Sequence, residues 1–523
     1  MKEKTDLLII NGRIYSVDRI NSIYEAMAIR EGKICALGKT EELKAKFSAG
    51  QIVDMHKMAV FPGFIDAHCH FFGYAMNQRY VDLNGAKSFD EVLSRLKKEQ
   101  GKVAGPWLTG RGWDQNLWKE KRFPEKSELD LMFPGRPVLL IRVDGHSVLC
   151  NQAALDQTGI VFQHHFKPGE VEVKNGKLTG ILSENAADFV KNMIPEPDDQ
   201  VKQQLLGEAE KKCFAVGLCT VSDAGLNSDD IRLLLSMQKA GNLSIRVYAM
   251  LNPNSENLIN YVNHGPFASK RLTVRSFKLY ADGSLGSRTA LLKSCYSDDP
   301  LKSGIQVMPT DSIKKICKIA LAHGYQVNTH CIGDSAVRLI LEIYGSFLKG
   351  KNDLRWRIEH AQVVDPADLH LFGDYTVIPS VQATHATSDM KWAQERIGPL
   401  RIKWAYAYKD LLDQNGWIAN GTDFPIENIS PLLTFYAAVA RKDIHGFPRT
   451  GFQAENALTR DEALRSITIW AARANFMESG NGSLEVGKNA DFVILNQDIM
   501  QIPLPEIPLT KVTGNYINGV KVL

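Results

Sequence analysis

Eight short apolar segments alternate with helical patterns through most of the chain. Such alternation is typical of βα units, in which helices connect parallel strands. Eight of these units close into a barrel with the helices on the outside. The sequence therefore predicts an α/β fold, a (β/α)8 TIM barrel, whose strands are residues 60–66, 218–222, 245–250, 273–279, 326–329, 356–359, 376–381 and 417–420.

A long insertion separates the first two predicted barrel strands and spans roughly residues 72–205. Two further strand candidates, at residues 107–110 and 138–143, fall within it. Segments inserted after a barrel strand lie over the active-site face, where loops commonly carry function. We therefore expect this large insertion after strand 1 to contribute to the site.

Both ends of the chain show short strand patterns broken by turns. Residues 6–55 contain strand candidates separated by Asn11-Gly12 and by Glu31-Gly32. Asn-Gly between apolar runs is a strong hairpin signal, so a hairpin is expected there. Residues 490–496 and 516–523 repeat the pattern. The sequence predicts a small composite β-sandwich domain from residues 1–58 and 484–523, and a barrel domain from residues 59–483.

Charge and cysteine content exclude several classes of protein. The 62 basic and 59 acidic residues give a net charge of +3 without a basic block, which makes no case for nucleic acid. The apolar run at residues 7–10 is too short for a signal peptide or a membrane span. The eight cysteines contain no Cys-x-x-Cys pair, which fits a reducing compartment. We expect a cytoplasmic protein that acts on a small molecule and has no membrane partner.

Two histidines, His68 and His70, stand at the end of the first apolar segment, with Cys69 between them. Residues two apart on a strand point to the same face, so both imidazoles can bind one metal ion. Neutral imidazole suits zinc and related transition metals. The alternative interpretation is a surface pair, or a core pair satisfied by hydrogen bonds.

Further polar residues mark the ends of other predicted barrel strands. Lys278 lies in the fourth strand, and His330, His360 and Asp423 follow the fifth, sixth and eighth. In a TIM barrel these strand ends carry the catalytic groups. One histidine at a strand end is often only a structural residue. Four histidines, an aspartate and a lysine at one rim favour a metal site with nitrogen and carboxylate ligands.

Lys278 needs a separate argument because its charge is positive. At an effective dielectric constant near 20, an ammonium about 4 Å from a divalent ion is repelled by about 8 kcal/mol. Either Lys278 lies away from the metal or it is not an ammonium. A neutral lysine can react with carbon dioxide to give a carbamate, whose two oxygens can bridge two metals. Burial makes that reaction accessible by lowering the lysine pKa.

Nine stretches together resemble one known family. The chain resembles the amidohydrolase superfamily, specifically amidohydrolase family 3 and its branch of N-substituted formamide deformylases and YtcJ-like proteins. The resemblance spans nearly the whole chain, and its motifs are highly specific as a set. They are residues 61–70, 112–114, 144–146, 278–286, 330–334, 357–362, 380–382, 421–423 and 482–491.

The resemblance implies a divalent metal cofactor, with zinc as the expected ion, and either one or two ions. It also implies the barrel, the sandwich from both termini and, as a habit of such enzymes, a homodimer. The implied ligands are His68, His70 and Asp423 for one ion and His330 and His360 for a second, with carboxylated Lys278 as the bridge.

Together with these ligands, the resemblance implies a metal-dependent hydrolase that cleaves an amide-type carbon–nitrogen bond outside peptides, of the N-acyl or N-formyl amine class. Zinc can lower the pKa of a bound water to about 7, which supplies hydroxide at neutral pH. Asp423 is the predicted catalytic residue, a proton shuttle from the attacking water to the leaving nitrogen. Two alternatives remain open: an isomerase, lyase or esterase on the same scaffold, and a binding protein without turnover.

Several polar or aromatic residues near the predicted rim are candidates for substrate binding. Each also has a structural interpretation: a packed Gly-Trp turn, a structural histidine or a salt bridge within a loop. An arginine among them is suited to hold a carboxylate. The candidates are Trp113, Asp114, His146, Asp282, Arg288, Gln382 and His385.

Overall fold

The computed structural model describes residues 1–101, 103, 105–143, 145–160, 166 and 170–523. Asp144, in one of the stretches that carry the family resemblance, lies outside the described residues. The chain divides into two compact units. The first comprises Met1–Phe72 and Glu210–Leu523, and the second comprises Gly73–Ala209.

The N-terminal segment of the first unit consists mainly of strands, with helix α1 (Thr40–Lys46) before the sixth. Four of them form one sheet in the order β5-β4-β1-β6. The strands are β1 (Glu3–Ile10), β2 (Arg13–Tyr15), β3 (Ile23–Tyr24), β4 (Ala26–Arg30), β5 (Lys33–Gly38), β6 (Phe47–Asp54), β7 (Ala59–Pro62) and β8 (Phe64–Cys69).

The second unit contains a mixed six-stranded sheet in the order β13-β14-β12-β11-β10-β9. Its strands are β9 (Val81–Asp82), β10 (Leu108–Trp113), β11 (Val138–Arg142), β12 (Ser147–Cys150), β13 (Val171–Lys174) and β14 (Lys177–Ser183). The helices between β8 and residue 217 are α2 (Phe71–Asn77), α3 (Phe89–Glu99), α4 (Ser127–Met132), α5 (Gln152–Thr158), α6 (Glu184–Met193) and α7 (Asp199–Ala215). Both strands predicted in the insertion are present, as β10 and β11.

The rest of the first unit alternates strands and helices. Its strands are β15 (Leu218–Leu226), β16 (Arg246–Leu251), β17 (Phe267–Ala268), β18 (Leu272–Tyr280), β19 (Gln326–Cys331), β20 (Arg357–His360), β21 (Ile378–Val381), β22 (Ala419–Asn420), β23 (Phe492–Leu495), β24 (Val512–Ile517) and β25 (Val520–Lys521). Its helices are α8 (Ser228–Ala240), α9 (Ser255–Tyr261), α10 (Thr310–His323), α11 (Asp334–Leu348), α12 (His370–Asp374), α13 (Ala383–Asp389), α14 (Ala393–Arg401), α15 (Tyr408–Asn415), α16 (Pro431–Ala440), α17 (Arg460–Ser466) and α18 (Ile469–Ala474).

Eight parallel strands form the barrel, in the order β22-β21-β20-β19-β18-β16-β15-β8. The two end strands are joined by backbone hydrogen bonds just beyond β22. The N–H of Asp423 donates to the carbonyl of His68 at 2.8 Å, and the N–H of His70 donates to the carbonyl of Phe424 at 2.8 Å. The predicted (β/α)8 barrel is thus confirmed, and each of its eight strands overlaps the segment predicted for it.

The first barrel strand begins later than predicted. The apolar run at residues 60–66 is divided between β7, which belongs to a terminal sheet, and β8, which belongs to the barrel. Gly63 lies at the division, and a Cβ there would be 2.3 Å from Cys219 Sγ. An apolar run contains no signal for a change of sheet, because strands of both sheets are buried.

Strands from both ends of the chain form one further sheet, in the order β25-β24-β23-β7-β2-β3. The hairpin expected at Asn11-Gly12 is absent among the described residues, because β1 and β2 belong to different sheets. Hydrogen bonds from Asn11 N–H to Thr40 Oγ1 and from Asn11 Nδ2 to Asp54 hold this turn instead. None of the helices in the described part of the chain has the length and apolar character that crossing a membrane requires.

Candidate metal centre

The candidate ligands lie at the C-terminal end of the barrel strands. His68 is in β8, Lys278 in β18 and His330 in β19, while His360 is the last residue of β20. Asp423 follows β22 by three residues. Carboxyl ends of parallel barrel strands meet at one face, so the chain order brings these distant residues together.

The side chains of these residues converge within a few ångström. His68 Nε2 lies 3.2 Å from Lys278 Nζ and 3.7 Å from Asp423 Oδ1. One ligating atom from each of His68, His360 and Asp423 lies within 4.8 Å of the others. His70 Nε2 lies 3.2 Å from Asp423 Oδ1. The ring of His330 is 4.6 Å from that of His360, measured between centroids. All six candidate ligands therefore belong to one cluster.

Asp66 clamps the first strand to the segment that carries Asp423. Its Oδ1 accepts hydrogen bonds from the N–H groups of His68 and Thr422, at 3.1 and 3.0 Å, and its Oδ2 accepts from Thr422 Oγ1 at 2.7 Å. Burial raises the pKa of Asp66 to about 7, although these hydrogen bonds oppose the rise. The clamp fixes the backbone on both sides of the ligand pair His68 and Asp423.

Each candidate histidine is anchored through one ring nitrogen. A carbonyl, amide or carboxylate oxygen accepts only from an N–H, so in the neutral imidazole the other nitrogen keeps its lone pair. That nitrogen is Nε2 in His68, His70 and His360 and Nδ1 in His330. The anchors are Glu359 Oε2 to His68 Nδ1 (2.6 Å), the Ala224 carbonyl to His70 Nδ1 (3.0 Å), Gln382 Oε1 to His360 Nδ1 (2.7 Å) and the Gly283 carbonyl to His330 Nε2 (3.1 Å).

Burial disfavours the charged forms of several nitrogen bases in the cluster. It lowers the pKa of His330 to about 3 and holds the pKa of His360 well below its usual value. Burial also lowers the pKa of Lys278, against the opposing pull of Glu359 and Asp423. Metal ligands must be deprotonated, so these shifts favour ligation.

The backbone is unusual at two of the candidate ligands. His360 has φ 75° and Asp423 has φ 60°. Positive φ is uncommon for residues other than glycine and costs free energy, and such residues concentrate at functional sites. The conformation ends β20 at His360 and turns the chain after β22 at Asp423.

The donor set fits a divalent metal ion. Asp423 Oδ1 is buried and has no hydrogen-bond donor among the described residues. His70 Nε2 lies 3.2 Å away, and in the neutral imidazole it carries a lone pair because Nδ1 donates to the Ala224 carbonyl. A carboxylate oxygen and an imidazole lone pair at this distance repel each other unless a cation or a proton lies between them, and here the carboxylate oxygen is buried. Imidazole nitrogen and carboxylate oxygen are donors found together in zinc and other transition-metal sites.

Comparison with known proteins decides the family. Residues 51–523 match the model of a family described as the amidohydrolase family. The chain belongs to the amidohydrolase family. As such it is a metal-dependent hydrolase, and its candidate metal centre lies where a TIM barrel carries its catalytic groups.

Similar proteins align with this amidohydrolase over nearly its full length. YtcJ of Bacillus subtilis (strain 168) is 30% identical, covering 97% of both chains. N-substituted formamide deformylase of Arthrobacter pascens is 27% identical, covering 99% of this chain and 98% of the relative. The crystal structure of an uncharacterized metal-dependent hydrolase from Pyrococcus horikoshii OT3 is 31% identical, with a TM-score of 0.81, covering 95% of this chain and 99% of that one.

Two predicted substrate-binding residues of the amidohydrolase hold the loop after β18. Asp282 accepts hydrogen bonds from the N–H groups of Leu291, Ile332 and Gly333, at 2.9, 3.0 and 2.8 Å. Arg288 forms a two-pronged ion pair with Asp298, at 2.8 and 3.1 Å. These contacts occupy the Asp282 carboxylate and the Arg288 guanidinium, and substrate binding by either residue stays a prediction.

Two other predicted substrate-binding residues, Gln382 and His385, lie beside His360. Gln382 anchors the His360 ring, and His385 stacks on it with centroids 5.8 Å apart. His385 Nε2 is 3.6 Å from Asp423 Oδ2 and has no hydrogen-bond partner in the part of the chain that is described. His385 is thus the predicted substrate-binding residue with an available polar atom next to the candidate ligands.

The remaining three predicted substrate-binding residues belong to the second unit. Trp113 is buried in its core and donates from Nε1 to the Leu140 carbonyl at 2.9 Å. Asp114 accepts from the Asn116 N–H at 3.0 Å and pairs with an arginine. His146 is largely exposed, with Nδ1 3.4 Å from Glu184. A substrate role for these three residues stays a prediction.

Sequence reasoning missed two residues that hold the ligands, Glu359 and Asp66. Signals for both were present. Asp66 precedes His68 by two residues, so a strand puts both on one face. Glu359 is a charged residue within the apolar segment at 356–359, and such charges are almost never buried without a partner.

Proposed function

We propose that this amidohydrolase hydrolyses the carbon–nitrogen bond of a small amide outside peptides, of the N-acyl or N-formyl amine class, with zinc as the metal. The observation that carries the proposal is the buried Asp423 Oδ1, which has no hydrogen-bond donor among the described residues and lies 3.2 Å from Nε2 of the partly exposed His70. The likeness to N-substituted formamide deformylase supports the substrate class.

The proposed ligands form two groups. His68, His70 and Asp423 would hold one ion, and His330 and His360 would hold a second. Lys278 is the proposed bridge: its neutral amine attacks carbon dioxide, the nitrogen loses a proton, and the resulting carbamate carries one negative charge. The low pKa of buried Lys278 and its 3.2 Å distance from His68 Nε2 support this assignment.

A divalent ion, when bound, would lower the pKa of a water to about 7 and polarise the substrate carbonyl. Asp423 takes a proton from the attacking water on its carboxylate and delivers it to the leaving nitrogen. His385 Nε2, 3.6 Å from Asp423 Oδ2, is placed to hydrogen-bond the substrate oxygen or to orient the carboxylate. The hydrogen bonds that anchor His68, His70, His330 and His360 fix the orientation of each ring, so that its other nitrogen faces the site.

Metal content measured on gently purified protein tests the metal part of this proposal. We expect about two equivalents of zinc in the wild type and one or none in Lys278→Ala, with the carbamate visible in a crystal structure of the wild type. His56→Ala is the matched control, because His56 is exposed and lies between β6 and β7, outside the barrel strands. One equivalent that Lys278→Ala leaves unchanged would remove the bridge.

A product assay tests the reaction. N-formyl and N-acyl amines, the corresponding esters and short peptides are compared as substrates of the metal-loaded protein. We expect release of the free amine from the first group. Turnover of esters alone, or isomerisation without release of an amine, would contradict the proposed function.

A further inference from the structure

We propose that Glu359 is a positioning residue which, acting through His68, makes the His68 side of the metal centre bind its ion more tightly than the His360 side. The inference rests on the proposed metal-dependent function and deepens it, because it assigns the two positions different affinities. It follows from two anchors that differ in charge while holding equivalent imidazoles.

Glu359 and His68 form a buried hydrogen bond. His68 Nδ1 lies 2.6 Å from Glu359 Oε2, and both side chains are 0% exposed. The carboxylate accepts from the imidazole N–H, and the buried guanidinium of Arg357 lies beside its other oxygen, an arrangement that favours the charged carboxylate. The anchor of His68 is therefore an ionised carboxylate in a site that excludes water.

Arg357 balances the charge of Glu359 without displacing it from His68. Its Nη1 lies 3.9 Å from Glu359 Oε1, beyond hydrogen-bond distance. The guanidinium is instead held by the Ala67 carbonyl at 3.2 Å, the Ala474 carbonyl at 2.5 Å and Asn475 Oδ1 at 2.7 Å. Arg357 thus keeps the carboxylate ionised while Glu359 Oε2 remains directed at the imidazole.

Gln382 occupies the equivalent place on His360. Its Oε1 lies 2.7 Å from His360 Nδ1, and its Nε2 donates to the Ser380 carbonyl at 3.3 Å. The geometry matches that of the His68 anchor, but the amide has no charge. A carboxylate that accepts from a metal-binding imidazole raises its basicity and fixes its tautomer, and loss of such partners commonly weakens metal binding about 10–100-fold.

The difference in charge between the two anchors gives the two metal positions different affinities. The imidazole of His68 donates from Nδ1 to Glu359, which carries a full negative charge. The imidazole of His360 donates from Nδ1 to Gln382, whose amide carries only a dipole. The charge increases the electron density that His68 offers to a cation. The centre is therefore expected to fill stepwise, first at His68 and then at His360.

The test measures zinc and cobalt affinity of the full-length protein by chelator competition, with the visible spectrum of the cobalt form as a second readout. We expect two resolved affinities in the wild type. Glu359→Gln keeps the shape and the acceptor oxygen but removes the charge, so the tighter affinity falls about 10–100-fold and the cobalt spectrum shifts.

Gln382→Glu is the reciprocal variant, and it is expected to tighten the weaker position. If Glu359→Gln does not fold with Arg357 left unpaired, the double variant Arg357→Gln/Glu359→Gln removes both buried charges and is used for the same measurement. Tighter binding by Gln382→Glu together with weaker binding by either Glu359 variant supports the inference.

Metal affinity and a cobalt spectrum that match the wild type in a folded Glu359→Gln protein would overturn the inference and leave Glu359 as the structural partner of Arg357. Absence of metal binding by the wild type would overturn the proposed function as well. The two failures are therefore distinguishable.

Discussion

Both ends of the barrel bury charged side chains, but the two ends differ in how many hydrogen-bond and ion-pair partners these side chains have. At the N-terminal end, Arg246 and Asp491 form an ion pair 2.6 Å apart. Asp491 also accepts from Asn481 Nδ2 and from the Asn518 N–H, both at 2.7 Å, and Arg246 also donates to the Lys270 carbonyl at 2.9 Å. Each charged atom of the Arg246–Asp491 pair therefore has a partner.

At the C-terminal end, polar atoms face one another without donors between them. Asp423 Oδ1 and His70 Nε2 are both acceptors, and Asp423 and His360 have positive φ. Buried acceptors without donors and strained backbone both reduce the stability of the protein. The N-terminal end thus serves stability, and the C-terminal end keeps unsatisfied groups that a cation and a substrate can satisfy.

The largest expected effect is at Asp423. Asp423→Asn removes the proton acceptor and is expected to reduce kcat about 10²–10⁴-fold, which is the usual contribution of a positioned acid–base group. The melting temperature of the metal-free protein should not fall, because without the ion Asp423 Oδ1 has no hydrogen-bond donor among the described residues. Steady-state kinetics, metal analysis and thermal melting test this. Near-full turnover with metal still bound would contradict the proton shuttle.

At the N-terminal end of the barrel, a substitution is expected to reduce stability and to leave metal binding unchanged. Asp491→Ala leaves the Arg246 charge buried and unpaired, which commonly costs about 3–5 kcal/mol of folding free energy. Equilibrium unfolding in urea measures this loss. Metal content per folded molecule should stay at the wild-type value, and a loss of metal would show that the two ends are coupled.

Two glycines beside the first barrel strand form a matched pair. A Cβ at Gly421 would be 2.5 Å from His68 N and 2.7 Å from Asp66 Oδ1, whereas a Cβ at Gly63 would be 2.3 Å from Cys219 Sγ. Overpacking of this kind costs about 1–3 kcal/mol in either case. Only Gly421→Ala should also weaken metal binding, because it pushes Asp423 away from His68. Urea unfolding with chelator competition compares them, and equal metal affinity would contradict this prediction.

The smallest effect is expected at Arg288. Its ion pair with Asp298 lies on the surface, where such pairs contribute little to stability. Arg288→Ala should leave the melting temperature and metal content unchanged. The same variant decides between the two interpretations of this residue: an unchanged KM supports the loop salt bridge, and a raised KM with unchanged kcat would identify Arg288 as a substrate-binding residue.

Much of the barrel was predictable because its strands are buried on both faces and read as apolar runs between helices. The limit of this signal is visible at residues 60–66, where one run serves two sheets. Asn11-Gly12 shows a second limit. The dipeptide indicates a tight turn, but whether the following strand pairs with the preceding one depends on partners distant in the chain, here Thr40 and Asp54.

The sequence by itself determined that a parallel barrel forms and that His68, His70, Lys278, His330, His360 and Asp423 stand at its strand ends. Both follow from local patterns: apolar periodicity and the polar residues that end each run. The tertiary structure alone decided which nitrogen of each imidazole is free and that a carboxylate anchors His68 while an amide anchors His360. Those contacts join residues on different strands, so they depend on the register and closure of the barrel, which no local pattern contains.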